Sequence, residues 1–313
     1  LEDFNEPVTI LPNAKCNSFF KDCKSLNQSL TIPEGVVDCN FMLEMCESFN
    51  QMLIIPDSVT RCNFMLSGCE RFNSDVQMSK STVSCSFMFQ RCTNFNKPLM
   101  LPDSVLTCDN MFESCISLDK VIVLSNNLDT CAGIFKNCAS FNQQVEIPSL
   151  VTNCESMFYG CTSFNQQIKL PASLESCLYM FAGCSNFNQY IDIPNSVRNC
   201  AGMFEDCSEF NQCVHIPDSV KDCSHMFSNC IKFNQIFTIP DAVYDCAWMF
   251  SGCCSLNSVI IISENIKIYN GMFSKCVNLK CSIKLPKDLD IFEDMFEHCP
   301  GEYDKSKNSY ICN

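Results

Sequence analysis

Histidine, glycine and basic charge are scarce in this sequence, and long apolar runs are absent. Each shortage excludes something. No apolar stretch approaches the roughly 18–20 residues that cross a bilayer as a helix, so no membrane insertion is expected of this chain. Only 21 Lys and Arg stand against 35 Asp and Glu, for a net charge of −14. No basic stripe exists to neutralise phosphate, which argues against nucleic acid and against anchoring on an anionic membrane surface. Nine glycines among 313 residues supply no phosphate-cradling loop. Three histidines, His215, His225 and His298, fit no zinc spacing with the cysteines, and no haem-attachment motif occurs. The carboxylates are scattered as a solvated surface would be. No catalytic residues, metal or cofactor are therefore expected, and the reading is of a non-enzyme. The chain starts at Leu1 without an initiator Met or signal-like segment, so it reads as a processed or trimmed piece whose targeting segment lies elsewhere.

What is abundant is order. The sequence is 47% apolar and holds 28 cysteines, enough to bury a core. One cysteine column runs from Cys16 to Cys246 and a second from Cys23 to Cys299, each at steps of 23 residues. The columns hold 24 of the 28 cysteines, and no insertion breaks the register. A fixed period of this length signals a repeat protein with no internal linker.

Each repeat has two halves. Segments such as Leu53/Ile55, Ile168/Leu170 and Val214/Ile216 alternate apolar and polar residues, as a short half-buried strand does. Proline then ends the strand at Pro33, Pro56, Pro102, Pro148 and equivalent positions. In the turn, Asp57, Asp103 and Asp218 are suited to bonding their own backbone. The following Cys-x-x-Met-Phe-x-x-Cys-x-x-Phe spaces its apolar residues by three or four, which predicts one or two helical or 3₁₀ turns.

This pattern, Ile-Pro-x-x-Val-x-x-Cys-x-x-Met-Phe-x-x-Cys-x-x-Phe, resembles the BspA-type leucine-rich repeat of bacterial surface proteins. That family reads Ile-Pro-x-x-Val-x-x-Ile-Gly-x-x-Ala-Phe-x-x-Cys-x-x-Leu. The Met-Phe and Phe-Asn-Gln words also resemble a related surface-protein repeat. The match spans residues 26 to 299. Here Cys and a variable residue replace Ile-Gly, and Met-Phe mostly replaces Ala-Phe. The expected fold is a leucine-rich-repeat-like α/β solenoid of about twelve 23-residue coils. Each coil has one short parallel strand and one short helical or 3₁₀ turn, stacked into a right-handed superhelix. It fills residues 1–299, with 1–25 as a degenerate N-terminal capping repeat and 300–313 as a C-terminal cap.

Two columns read as framework. The Asn ladder, including Asn50, Asn142, Asn165, Asn188, Asn211 and Asn234, is placed to satisfy backbone groups between coils. The Met-Phe column, as at Met157-Phe158, reads as core. For the cysteines, including Cys161, Cys184, Cys207 and Cys230, two states stay open. A bridge within one repeat would span about 10 Å of helix, beyond the roughly 4.4–6.8 Å a disulfide tolerates. Between coils, at about 4.8 Å, a same-column bridge is possible. Tyr269 and Phe292 replace the first-column cysteine while Cys276 and Cys299 remain. A bonded pair would not lose one member to a ring, whereas a buried apolar column would, so buried thiols are the favoured reading. Cys299–Cys312 is the single bridge to back, closing the cap, and Cys213 and Cys281 are candidate exposed thiols.

Function is sought where the framework does not repeat. The outward strand positions change at nearly every coil. Met52, Ile54, Met100, Val121 and Val123 form an apolar first part, and Glu146, Lys169, Tyr190, Asp192 and His215 a polar middle. Ile236, Val259 and Ile261 return to apolar. Exposed apolar area of this kind marks a contact surface. The resemblance implies a binding or adhesion module on a cell or virion surface, outside the cell, facing a protein or glycan of a host or neighbouring cell. The alternative is a structural component, in a virion or a sheath, that buries its apolar faces against copies of itself. Calcium binding by the acidic turns is a third idea.

Overall fold

The computed structural model describes residues 2–281, 283–286, 294–304 and 309–311. Phe292, Cys312 and the rest of the proposed cap lie outside the described residues. The chain forms two compact units: Leu1–Asn153 with Gly160–Phe164, and Cys154–Tyr159 with Asn165–Asn313. Both are built of the same repeated coil.

In the first unit, β1 (Leu53–Ile54) pairs in parallel with β2 (Val76–Gln77), and β3 (Leu99–Met100) with β4 (Ile122–Val123). In the second, β5 (Phe237–Thr238) pairs in parallel with β6 (Ile260–Ile261). There β7 (Ile283–Lys284) pairs antiparallel with β9 (Ser309–Ile311), which also takes β8 (Glu302–Asp304) antiparallel. This reversed hairpin ends the parallel register. Tyr310 stacks on Phe296 with ring centroids 3.8 Å apart, and its hydroxyl donates to the Cys299 carbonyl at 3.3 Å. Among the described residues, strands are fewer than one per coil. The segments at 145–147, 168–170, 191–193 and 214–216 form no ladder, yet Ile168 and Leu170 are buried around an exposed Lys169. Side-chain burial alone sets that alternation; it does not require paired backbone.

No helix occurs among the described residues, which corrects the expectation of helical or 3₁₀ turns and of an α/β class. The reason lies in where the amide hydrogens go. The N–H groups of Cys39, Phe41, Leu43 and Met45 donate to the carbonyls of Arg61, Asn63, Met65 and Ser67 in the next coil, at 2.7–2.9 Å. The N–H groups between them, of Met42, Glu44 and Cys46, bond back three residues to Cys39, Phe41 and Leu43. The second unit repeats this at Cys200, Gly202, Phe204 and Asp206, which donate to Asp222, Ser224, Met226 and Ser228. Half of the donors therefore leave the coil, and a helix, which spends all of them internally, cannot form. The three-residue bonds produce the apolar spacing that imitates helical periodicity.

Turning alternate donors outward requires left-handed backbone twice per coil, four residues apart: Phe41 and Met45, Phe87 and Arg91, Ser114 after Asn110, His225 and Asn229. None of the residues at these positions is β-branched, the class for which this conformation is most costly. Seven of the nine glycines occupy them. Space matters as well as φ. Tyr179 lies over Gly202 in the next coil, where an added Cβ would fall within its ring, and Trp248 lies over Gly271 in the same way.

The core is two columns of rings and two of sulfur. Phe181 and Phe187 stack at 4.3 Å, Phe204 and Phe210 at 4.2 Å, and, in the first unit, Phe135 and Phe141 at 4.3 Å. Met157, Met180 and Met203 are fully buried beside them. Each second-column thiol from Cys46 to Cys299 donates to the carbonyl of the residue 26 positions earlier, at 2.8–3.1 Å. Cys69 bonds the Leu43 carbonyl, which also accepts the Cys46 N–H; Cys207 bonds the Phe181 carbonyl, which also accepts the Cys184 N–H. A sulfur in a disulfide has no hydrogen to give, so this arrangement belongs to the reduced state. In the first column the Cys177 thiol donates to the Cys200 sulfur at 3.6 Å. Cys299 is itself a donor, to Phe273; its suggested partner Cys312 lies outside the described residues.

The turns close on themselves through backbone bonds such as Val59 N–H to the Pro56 carbonyl. The Asp57 and Asp103 side chains, however, accept from the next coil and not from their own backbone, which corrects the sequence reading. Asp57 Oδ1 accepts the Lys80 N–H at 2.9 Å, and Ser58 Oγ donates to the Val36 carbonyl at 2.8 Å. Where proline is missing from its column, serine replaces it at Ser79, Ser125 and Ser263, all buried. Each accepts the N–H two residues on, at 3.0–3.2 Å, re-creating the turn with a hydroxyl.

Two outcomes follow. Gly202→Ala should lower unfolding free energy by about 1–3 kcal/mol through its left-handed φ and the Tyr179 ring. Adding Tyr179→Ala should restore only the steric part, a coupling that urea titrations of the four variants will resolve. The second concerns pH. Burial pushes the thiols of Cys46, Cys62 and Cys131 up to about 12. The unfolded chain titrates near 8.5. Because the folded values are raised, the stability they bring is complete below about pH 8.5 and is lost as pH rises toward 12. With reductant present, the urea midpoint should fall steadily from pH 8 to 10; a flat profile would contradict buried neutral thiols.

Candidate binding face

The side chains that vary between coils stand on the outward strand positions. In the first unit, Met52 and Ile54 are 57% and 54% exposed and Met100 is 69% exposed, with Val121, Val123 and Glu146 also exposed. In the second, Lys169, Tyr190, Asp192, His215, Val259 and Ile261 are exposed, and Ile236 is 70% exposed. Strand register brings some of these together. Met100 pairs with Val123 in adjacent strands, and Ile261 with Thr238, whereas Ile54 has Gln77 beside it.

The columns assigned to framework bind neighbouring coils. In the first unit, Asn50 donates its N–H to Asn27 Oδ1 at 2.9 Å and accepts the Asn73 N–H at 2.8 Å. Asn142 continues the series by donating to Asp119 Oδ1 at 3.0 Å. In the second unit, Asn188, Asn211 and Asn234 donate in turn to Asn165, Asn188 and Asn211 at 2.9–3.0 Å. Cys161, Cys184, Cys207 and Cys230 are buried donors to backbone carbonyls. Of the cysteines off the grid, Cys213 is exposed, while Cys254 and Cys281 are half-buried.

In the first unit the face is indented at two places. A cleft of about 460 Å³ lies across the first coils, lined by Leu30, Ile32, Met52, Ile54, Ile55 and Met78, with Glu34, Asp57 and Lys80 at its margin. A second, of about 320 Å³, lies between β2 and β3, which belong to separate sheets, and is bounded by Val76, Met78, Pro98 and Met100. Met78 and Pro98 were not singled out from the sequence. The signal was the loss of proline at Ser79, which frees Met78 from the usual Ile-Pro word.

Of the histidines, His215 stands on the strand face, while His225 lies 3.6 Å from Glu205 and His298 3.4 Å from Glu297. Among the described residues no three His, Cys, Asp or Glu side chains converge as a metal site. The turn carboxylates of Asp57 and Asp103 accept backbone N–H groups from the next coil. No helix among the described residues is long and apolar enough to cross a membrane.

Among solved structures, the chain is similar to a leucine-rich repeat protein from Bacteroides ovatus. The TM-score is 0.68 at 19% identity, over 93% of this chain and 79% of that one. A leucine-rich cell surface protein from Faecalibacterium prausnitzii matches with a TM-score of 0.46 at 17% identity, over 79% and 82% of the two chains. No curated protein matches the sequence. At these identities the likeness to the first shows a common fold of repeated leucine-rich coils. The profile of the family described as "Mycoplasma protein of unknown function, DUF285" matches residues 14–122, 101–194, 129–238, 171–260 and 217–306. Those overlapping matches cover nearly the whole sequence, and the chain belongs to the DUF285 family.

Proposed function

We propose that the chain is a non-enzymatic binding or adhesion module displayed on a cell surface, meeting a protein or glycan through the variable strand face. Within each unit the coils are taken to wind right-handedly, as the BspA-type resemblance implies; the surface location rests on the same resemblance. One observation carries the reading. The positions that repeat are buried or bonded to the next coil, while Met52, Ile54, Met100, Ile236 and Ile261, which do not repeat, are large, apolar and more than half exposed. A framework under packing constraint repeats its residues; aliphatic side chains left in water on the strand face of each unit indicate something that covers them. The same exposure supports a second reading, in which copies of the chain cover each other's faces as part of a larger structure.

The test is a double substitution, Ile54→Asp with Met100→Asp, assayed against immobilised extracellular proteins and glycans. Both sites are exposed, so the unfolding midpoint should stay within about 0.5 kcal/mol of the parent while binding falls at least tenfold. Sedimentation velocity over a dilution series separates the readings. A monomer at all concentrations is the expected result for a binding module, and association abolished by the same substitutions would indicate self-assembly.

A further inference from the structure

The charges bordering the apolar cleft of the first unit narrow the partner further than the face as a whole does. Glu34 and Asp57 sit at the same turn position of successive coils, both exposed and both lining the cleft whose walls are Leu30, Ile32, Met52 and Ile54. The next coil places Lys80 there, and the one after that Asp103. Read across coils, the margin is acid, acid, base, acid beside a strip of aliphatic and thioether side chains. The second unit shows the pairing independently: Ile236, exposed at 70%, stands with Asp218 and Asp241 exposed at the turns of its own and the preceding coil. In the neutral stretch between, the turn residues are Asn126, Ser149, Ala172 and Asn195. Turn carboxylates thus border the cleft of the first unit and the coil of Ile236, whereas Val121 and Val123 are followed by the neutral Asn126.

A wholly apolar ligand would desolvate these carboxylates without supplying a counter-charge, and an anionic one would be repelled by them. A glycan would not use the aliphatic and thioether walls, since the cleft lining holds no aromatic ring for a sugar face to stack on. We infer that the cleft receives an extended protein segment in which an aliphatic side chain is flanked by lysine or arginine. The aliphatic group fills the space between Met52, Ile54 and Met78, with basic groups over Glu34 and Asp57. Lys80 then sets the register, because a basic group placed over it is repelled. This assignment rests on the strand face being the contact surface, as proposed above, and adds the chemistry of the partner.

The probe is a fluorescent decapeptide of alternating leucine and lysine, titrated by anisotropy against the full 313-residue chain. Leucine–glutamate and serine–lysine decapeptides serve as comparators. The leucine–lysine peptide should bind at least about tenfold more tightly than either, and added salt should weaken it. Glu34→Gln with Asp57→Asn should weaken it about tenfold, and Lys80→Glu should tighten it several-fold. Lys15→Glu, the same net charge change away from the cleft, should do nothing. If serine–lysine binds equally, or Lys15→Glu matches Lys80→Glu, the attraction is net charge alone and the inference is overturned. If leucine–glutamate binds as well and Met52→Ser with Ile54→Ser abolishes it, the partner chemistry is wrong while the contact face stands. If no peptide binds but the face substitutions still abolish capture of surface proteins or glycans, the inference alone is lost. If they leave that capture unchanged too, both fall. A dimer disrupted by Met52→Ser and Ile54→Ser would assign the cleft to a second copy of the chain instead.

Discussion

Between Cys39 and Met45, and again between Cys200 and Asp206, alternate amide donors are left for the next coil, and the rest of the structure follows from meeting that demand. The N–H groups of Cys39, Phe41, Leu43 and Met45 find carbonyls only if the next coil repeats the same backbone 22 residues on. An unpaired buried amide costs roughly as much as a lost hydrogen bond, so one misplaced residue would disrupt several bonds at once. This explains an uninterrupted 23-residue period better than any preference of single residues. It also explains the two left-handed positions per coil and the absence of Val, Ile and Thr from them. The second-column thiols serve the same lock from another direction, each adding a donor to a carbonyl one coil back. Cysteine suits that place because it packs as a small apolar group and still has a hydrogen to give.

Much of this was legible in the sequence, and what was not has definite physical causes. The cysteine steps set the repeat and its register, and Ile-Pro with its alternating neighbours placed the inward and outward side chains. The Asn after each core phenylalanine marked the coil-to-coil bonds. The helical reading of Cys-x-x-Met-Phe-x-x-Cys failed because successive three-residue turns place apolar groups at the same three- and four-residue steps as a helix does. A corrective signal was present: glycine recurs at Gly68, Gly160, Gly183 and Gly252 in one column and at Gly133, Gly202 and Gly271 in another. Glycine at a fixed place in a supposed helix points instead to positive φ. Strand pairing was over-read for a related reason. Ile168 and Leu170 alternate with Lys169 because two of the three are buried, and that pattern says nothing about whether the neighbouring backbone is close enough to bond. The clefts were not legible, since they depend on how side chains of neighbouring coils stand together in space and not on any single residue type.

The division of labour between framework and face gives the functional reading its physical basis. Residues tied to a neighbouring coil have no freedom to vary, and those pointing into water have almost complete freedom. Natural variation then concentrates where a partner would be met, at Met52 and Ile54 in one coil and at Ile236 or Ile261 in others. The family relationship fixes the architecture but assigns no activity. Within each unit, a repeating framework that carries a variable surface is the physical basis for the proposed recognition role.

The reduced sulfur columns are the most exposed point of this account, because a cross-linked core would remove the donors on which the coil-to-coil bonding depends. The direct measurement is intact mass after alkylation in denaturant without reductant, on protein purified without added thiol. The account predicts that the 24 column cysteines are modified without prior reduction. If most take up the label only after reduction, the columns are disulfides, the thiol-to-carbonyl bonds do not exist, and the coils are held by covalent bridges instead.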